Sequence, residues 1–263
     1  MSSQIELRAG SSRAVVSPDN GATVTEFSVD GEDILFPDQL VQTSKGLKRR
    51  GGIPVLFPNA GPDETLPQHG FARNIPWELR DISDSYVRML LRYDDETLKV
   101  YPYHFLAELS VQLREGSLEE TLMINASRLN QRDMPIAPGF HPFFKIEDTD
   151  KPKLSSDLPF DGAETDWQKL QDEARVIDTH DRTVRIDHPT VGAISLETFA
   201  LPTQVVWSEV GQPYVCFEPW RGPVNHIHDS HTGGTRVRHS PRAFSFKISL
   251  VAGVGIEPTT AAL

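Results

Sequence analysis

Leu106-Ala107-Glu108-Leu109-Ser110-Val111-Gln112-Leu113, then Arg114-Glu115-Gly116-Ser117, then Leu118-Glu119-Glu120-Thr121-Leu122-Met123-Ile124-Asn125-Ala126 is the stretch on which the fold reading turns. In the first segment Leu106, Glu108, Ser110 and Gln112 are interleaved with apolar partners. Successive strand side chains point to opposite faces, so this spacing predicts a strand with one buried face. The break at Arg114–Ser117 contains a glycine and reads as a hairpin turn. The segment beyond it alternates only in part, through Leu118, Glu120, Leu122 and Ile124.

Working outward, the same short runs recur between turn residues. Strands are expected at Ala14–Val16, Ala22–Val29, Tyr86–Tyr93, Thr183–Ile186, Ala193–Thr198, Thr203–Ser208, Tyr214–Phe217 and Ala243–Val251. Short strands spaced about 10 residues apart point to a mainly β sandwich or barrel of antiparallel strands. One helix is expected, at Thr165–Ala174. The absence of a repeat period or a low-complexity linker favours one domain over residues 1–251. The last 12 residues, 252–263, carry neither alternation nor a cap and are expected to be a poorly ordered tail.

The chain has 263 residues, with 26 Lys+Arg against 37 Asp+Glu, a net charge of −11. An acidic chain argues against a nucleic-acid partner, which needs a basic face. The single cysteine, Cys216, has no partner for an internal disulfide, which points to a reducing compartment. No leader pattern and no stretch of about 18 apolar residues is visible. The expectation is a cytoplasmic, monomeric protein without a membrane span, a nucleic-acid partner or a bound cofactor.

Two segments, Arg49–Phe71 and Pro135–Phe144, are rich in Pro and Gly but also carry Phe, Ile and His. Loops of that composition are rigid and tend to line a pocket. Each holds a histidine. His69 lies in Leu66-Pro67-Gln68-His69-Gly70-Phe71-Ala72-Arg73, where Gly70 permits a close turn and Arg73 follows four residues later. His141 lies in Pro138-Gly139-Phe140-His141-Pro142-Phe143-Phe144, an apolar wall that desolvates the ring. Glu218 ends the apolar run Tyr214-Val215-Cys216-Phe217-Glu218, next to Pro219 and Trp220. A carboxylate there is placed to act as a base with a raised pKa. For each of the three, an ordinary structural role stays open on spacing alone. Lys48-Arg49-Arg50 could bind an anion or be a solvated loop. His226, His228, His231 and His239 are metal-ligand types, but their spacing fits no standard zinc pattern, so no metal is expected. Cys216 sits in an apolar strand and reads as a packing residue.

Four segments together resemble one family. They are Arg50-Gly51-Gly52-Ile53-Pro54, Leu66 to Asn74 with Trp77, Gly139-Phe140-His141-Pro142-Phe143-Phe144, and Cys216-Phe217-Glu218-Pro219-Trp220. In this order they resemble the aldose 1-epimerase (galactose mutarotase-like) superfamily, and the first two resemble its glucose-6-phosphate 1-epimerase branch. The resemblance covers roughly Ile5 to Leu250. It implies a galactose mutarotase-like β-supersandwich and an isomerase that interconverts the anomers of a hexose or hexose 6-phosphate. It also implies roles. His141 matches the general acid that protonates the ring oxygen. Glu218 matches the base that deprotonates the anomeric hydroxyl. His69 matches a substrate-orienting histidine and Arg73 a substrate-binding arginine. Arg50 and Arg73 are the cations a sugar phosphate would need. Trp220, Phe143 and Phe71 could supply flat surfaces for a sugar's C–H face, with core packing open as the alternative for each. After Trp220 the chain departs from the family pattern, reading Gly222-Pro223-Val224-Asn225-His226-Ile227-His228. The alternative is a non-catalytic carbohydrate-binding or regulatory module on the same fold.

Overall fold

The computed structural model describes residues 4–43, 46–222, 227, 234–238 and 240–251. The hairpin expected from the opening stretch pairs Phe105–Arg114 with Ser117–Ala126 in register from Phe105↔Ala126 to Arg114↔Ser117. Its loop is Glu115-Gly116. Gly116 has φ +69°, a left-handed conformation that glycine adopts without steric cost. Phe105, Ala107, Leu109, Val111 and Leu113 are buried, and the residues between them are not.

This hairpin sits inside an antiparallel sheet of eight strands. Their spatial order is Ser155–Ser156, Val184–His188, Gly192–Phe199, Arg242–Leu250, Ser117–Ala126, Phe105–Arg114, Tyr86–Arg92 and Glu78–Ser83. A second sheet runs Arg175–Asp178, Thr203–Trp207, Tyr214–Trp220, Gly139–Phe140 and Val55–Leu56, with Phe143–Lys145 also paired to Tyr214–Trp220. An N-terminal sheet is formed by Ile5–Ala9, Ser12–Ser17, Thr23–Val29 and Glu32–Asp33. Two-stranded ribbons join Gln39–Thr43 to Gly46–Arg50 and Met134–Ile136 to Thr235–Val237. One cluster of buried apolar side chains draws on all three large sheets, from Leu7 and Phe27 through Leu109 and Leu122 to Phe217 and Phe246.

The architecture is mainly β, as the alternation implied. Three local expectations need correction. The expected helix at Thr165–Ala174 is a shorter helix, Trp167–Asp172, started by the Asp166 side chain accepting from the Lys169 N–H. A second helix, Asp95–Val100, was not expected. Its signal is a capping box: the Asp94 side chain accepts from the Thr97 N–H, and the Thr97 hydroxyl accepts from the Asp94 N–H. The segment Pro135–Phe144 is not a plain loop. It is broken into pieces of three strands, because Pro138 and Pro142 interrupt the ladder. The tail at 252–263 lies outside the described residues.

Glu120 explains why the second arm of the hairpin alternates imperfectly. It faces the core, between Val111 and Phe246 of the neighbouring strands, and is fully buried. Among the described residues, neither carboxylate oxygen has a hydrogen-bond partner. Burial pushes its carboxyl well above the ordinary value, so the folded protein keeps a proton there. The unfolded chain releases that proton above about pH 4.3. Stability from this group is therefore present in acid and lost as pH rises through the folded value. Glu120→Met is expected to raise stability at pH 8 by about 1–3 kcal/mol. The gain should shrink towards pH 4, as chemical denaturation at the two pH values would show.

Candidate active site

The strand Tyr214–Trp220 is buried along its whole length, yet its two faces do different work. Val215 and Phe217 enter the main core. Tyr214, Cys216, Glu218 and Trp220 point the other way. Tyr214 and Cys216 pack with Phe36 and Phe143. Glu218 and Trp220 line a cavity of about 810 Å³. Trp207, from the adjacent strand Thr203–Trp207, lines the same cavity.

His141 enters between the strands Gly139–Phe140 and Phe143–Lys145. Its backbone N–H donates to Pro54 O at 3.1 Å. Its ring lies on that of Phe143, with centroids 4.5 Å apart and planes 5° from parallel. This brings Nε2 to 3.5 Å from Glu218 Oε2. The indole N–H of Trp220 donates to the same oxygen at 3.2 Å. His141 and Glu218 are 6% and 2% exposed, so both are almost wholly removed from water. Burial, helped by nearby His69, Arg73 and Arg50, holds the imidazole well below its usual pKa. Burial raises the Glu218 carboxyl well above its usual value, while the Trp220 hydrogen bond and the charge of Arg73 favour its ionised form. Two buried groups in contact that both resist charge are best described as holding one proton between them.

His69 has φ +69° and is followed by Gly70 at φ +65°. A Cβ on Gly70 would lie 2.1 Å from Phe57 O, so only glycine lets the chain turn here. The turn swings the His69 ring into the cavity, 5.3 Å from the His141 ring and 5.8 Å from Trp220. Its Nδ1 is 2.7 Å from Ala60 O. A carbonyl only accepts, so Nδ1 carries the hydrogen and Nε2 keeps a free lone pair. Burial, followed by the charge of Arg73, pushes the ring down to about 4. Near neutrality it is an uncharged acceptor, suited to a sugar hydroxyl.

The two expected arginines differ. Arg50 reaches the cavity but is already engaged. Its Nε lies 2.7 Å from Glu209 Oε2, and its guanidinium sits 5.4 Å from the Trp207 ring centre. Tyr214 OH also donates to Glu209. Arg73 lines the cavity without an ion-pair partner among the described residues. Burial and the neighbouring charge of Arg50 lower its pKa, and Glu218 opposes them. Its backbone is fixed by a close approach: a Cβ on Gly21 would come within 2.3 Å of Arg73 O. A half-buried cation beside a second cation attracts an anion to the same place.

Among the flat surfaces, Phe143 and Trp220 line the cavity. Phe71 does not; it packs edge-on against Phe57 in the core. The physical reason is the 3₁₀ turn Ala72–Asn74, which sends Arg73 to the cavity and leaves Phe71 on the opposite side. Trp207 and Glu209 were missed by sequence reasoning. Trp207 was legible as the third same-face residue of Thr203, Val205 and Trp207. Glu209 was not, because its partner Arg50 is 159 residues away. His226, His228, His231 and His239 all lie outside the described residues.

Comparison with known proteins adds three findings. The family described as aldose 1-epimerase matches residues 3–234. Proteins from Cenchrus ciliaris and Escherichia coli K12, provisionally named as glucose-6-phosphate 1-epimerases, are 30% identical over 156 residues and 29% identical over 142 residues. Those matches cover 55% and 51% of this chain but 46% of each relative, so the match spans about half the length of those proteins. A crystal structure of a protein from Synechocystis sp. PCC 6803 superposes with TM-score 0.79 at 27% identity, covering 95% of this chain and 97% of that one. A galactose mutarotase-like protein from Lactobacillus casei superposes with TM-score 0.78 at 20% identity, covering 95% of this chain and 100% of that one. The fold is therefore of the galactose mutarotase-like type.

Proposed function

This chain belongs to the aldose 1-epimerase family, and on that premise we propose that it interconverts the α and β anomers of a hexose 6-phosphate by acid–base ring opening. The observation that carries the reading is the 3.5 Å contact between His141 and Glu218, both buried and both on the wall of one cavity.

Opening a hemiacetal ring requires one proton delivered to the ring oxygen and one removed from the anomeric hydroxyl. The pair holds one proton and one vacancy. Burial alone leaves the proton on Glu218. Its transfer to His141 gives an imidazolium and a carboxylate at unchanged total charge. The Trp220 N–H and the Arg73 charge both act towards that form. With a sugar bound in the cavity against the pair, His141 protonates the ring oxygen and Glu218 takes the hydroxyl proton. The aldehyde rotates about C1–C2, and closure with the proton steps reversed gives the other anomer. His69 Nε2 accepts from a sugar hydroxyl, and Trp220 and Phe143 present apolar faces to the C–H side. Only protons and one C–O bond move, so a redox group has no step to perform.

The phosphate is assigned from Arg73. A half-buried guanidinium lacking a carboxylate partner among the described residues is suited to a dianion, and the provisional names of the curated relatives support the same substrate class. The net charge of −11 opposes an anion at long range. That field is screened beyond about 8 Å at physiological salt, whereas Arg73 acts inside the cavity.

The test is mutarotation of glucose, galactose and glucose 6-phosphate, followed by polarimetry or exchange NMR on the same preparation. The phosphorylated sugar should have the highest kcat/KM. Arg73→Ala should lower that value by about 10–100-fold, the worth of a charge-assisted hydrogen bond. It should affect the neutral sugars far less. Equal rates on all three substrates would remove the phosphate assignment. No acceleration of any would remove the epimerase and favour a binding module.

A further inference from the structure

The acid–base chemistry uses two of three chemically active side chains gathered at one point. The third is Cys216. It precedes Glu218 by two residues on the same strand face and pairs in register with Phe143, whose ring supports His141. His141, Cys216 and Glu218 each offer one donor atom, and the three atoms lie within 4.8 Å of one another. Among the described residues this is the one such cluster.

We propose that His141, Cys216 and Glu218 form a binding site for zinc or a similar thiophilic divalent cation, and that its occupation shuts off the acid–base pair. A nitrogen, a sulfur and an oxygen are a donor set for zinc, whose bonds run about 2.0–2.3 Å in a tetrahedron. Tetrahedral donors at those lengths stand about 3.3–3.7 Å apart. The His141–Glu218 contact is already 3.5 Å and the three atoms lie within 4.8 Å of one another, so the sulfur has the most distance to close, at most about 1 Å. His141 and Glu218 line the cavity, so a fourth ligand, water or a sugar hydroxyl, would come from that side.

Charge favours the same occupant. A thiolate, a carboxylate and a neutral imidazole carry two negative charges. One divalent cation cancels them and leaves a neutral cluster in a buried place, beside Arg50 and Arg73. Binding releases two protons to solvent, one from the thiol and one from the His141–Glu218 pair. Hard cations such as magnesium prefer oxygen donors and should not compete. Cys216 is 0% exposed, so a large thiol reagent has no route to it, whereas a small ion can enter beside His141 and Glu218 from the cavity.

The experiment is helped by composition, because Cys216 is the only cysteine in the chain. Metal-free protein is titrated with Co²⁺, and a thiolate-to-cobalt charge-transfer band in the near ultraviolet reports Cys216 and no other residue. The band should appear in the wild type and vanish in Cys216→Ser. Zn²⁺ should displace Co²⁺ and inhibit mutarotation, and EDTA should restore the rate. Cys216→Ser, measured against its own metal-free rate, should need about 10-fold more Zn²⁺ or higher for half-inhibition. Circular dichroism checks that the variant is folded, and Cys216→Ala replaces it otherwise. Absence of the band in the wild type overturns the proposal. So does inhibition that both cysteine variants leave unchanged. The inhibition arm rests on the epimerase reading and the spectral arm does not. A band without any epimerase rate therefore upholds the metal site and removes the catalytic reading.

Discussion

Glu218→Gln should slow anomer interconversion by about 10²–10⁴-fold while the protein stays folded. Glutamine keeps the volume, and its carbonyl oxygen can still accept from Trp220, so the strand Tyr214–Trp220 loses no packing. What it loses is the ability to take a proton. That loss is felt in the transition state and hardly at all in the bound ground state, so kcat should fall and KM should change little. The same change removes a buried carboxyl whose ionisation is penalised by burial. The thermal midpoint should therefore rise, as it does when active-site strain is relieved. Polarimetry and a melting curve on one preparation read both effects. A rate within a few-fold of wild type would remove Glu218 from proton transfer.

His141→Ala should cost about 10²-fold or more, for the complementary reason. The ring it deletes lies between Phe143 and the Glu218 oxygen, so the variant gains a space shaped for an imidazole. Free imidazole in the assay should restore part of the rate. A purely structural role for His141 predicts no such rescue. The double variant His141→Ala with Glu218→Gln should be little slower than either single one. Two groups that handle one proton act as a unit, and removing the second costs little once the first is gone.

Much of this molecule was legible from spacing. The hairpin of Phe105–Arg114 and Ser117–Ala126 follows from strict alternation in its first arm and one glycine in its turn. Its one irregularity, Glu120, is a carboxyl placed in the core at the expense of two unmade hydrogen bonds. His69, Arg73, His141 and Glu218 were all identifiable as candidates and all reach one cavity. What stayed hidden was pairing over long separations. Nothing near Arg50 in the sequence announces that Glu209 will neutralise it, and so nothing separates Arg50 from Arg73 as an anion ligand. Phe71 takes the packing alternative and not the sugar-facing one because a 3₁₀ turn decides which neighbour faces the cavity, and a three-residue turn leaves no periodicity to tell them apart. The short helix Asp95–Val100 escaped for a similar reason: six residues are too few for an amphipathic pattern, and only its cap marks it.

The strand Tyr214–Trp220 carries its own reading frame. Deleting or inserting a single residue there would exchange the two faces, sending Val215 and Phe217 into the cavity and Glu218 into the core. Such a change would abolish catalysis and folding together, so the strand should tolerate point substitution but not single-residue indels. The same division gives a protein engineer two independent dials on one element. Positions 215 and 217 tune the main core without touching the chemistry, and positions 214, 216 and 220 retune the site and the smaller clusters behind it without touching the main core.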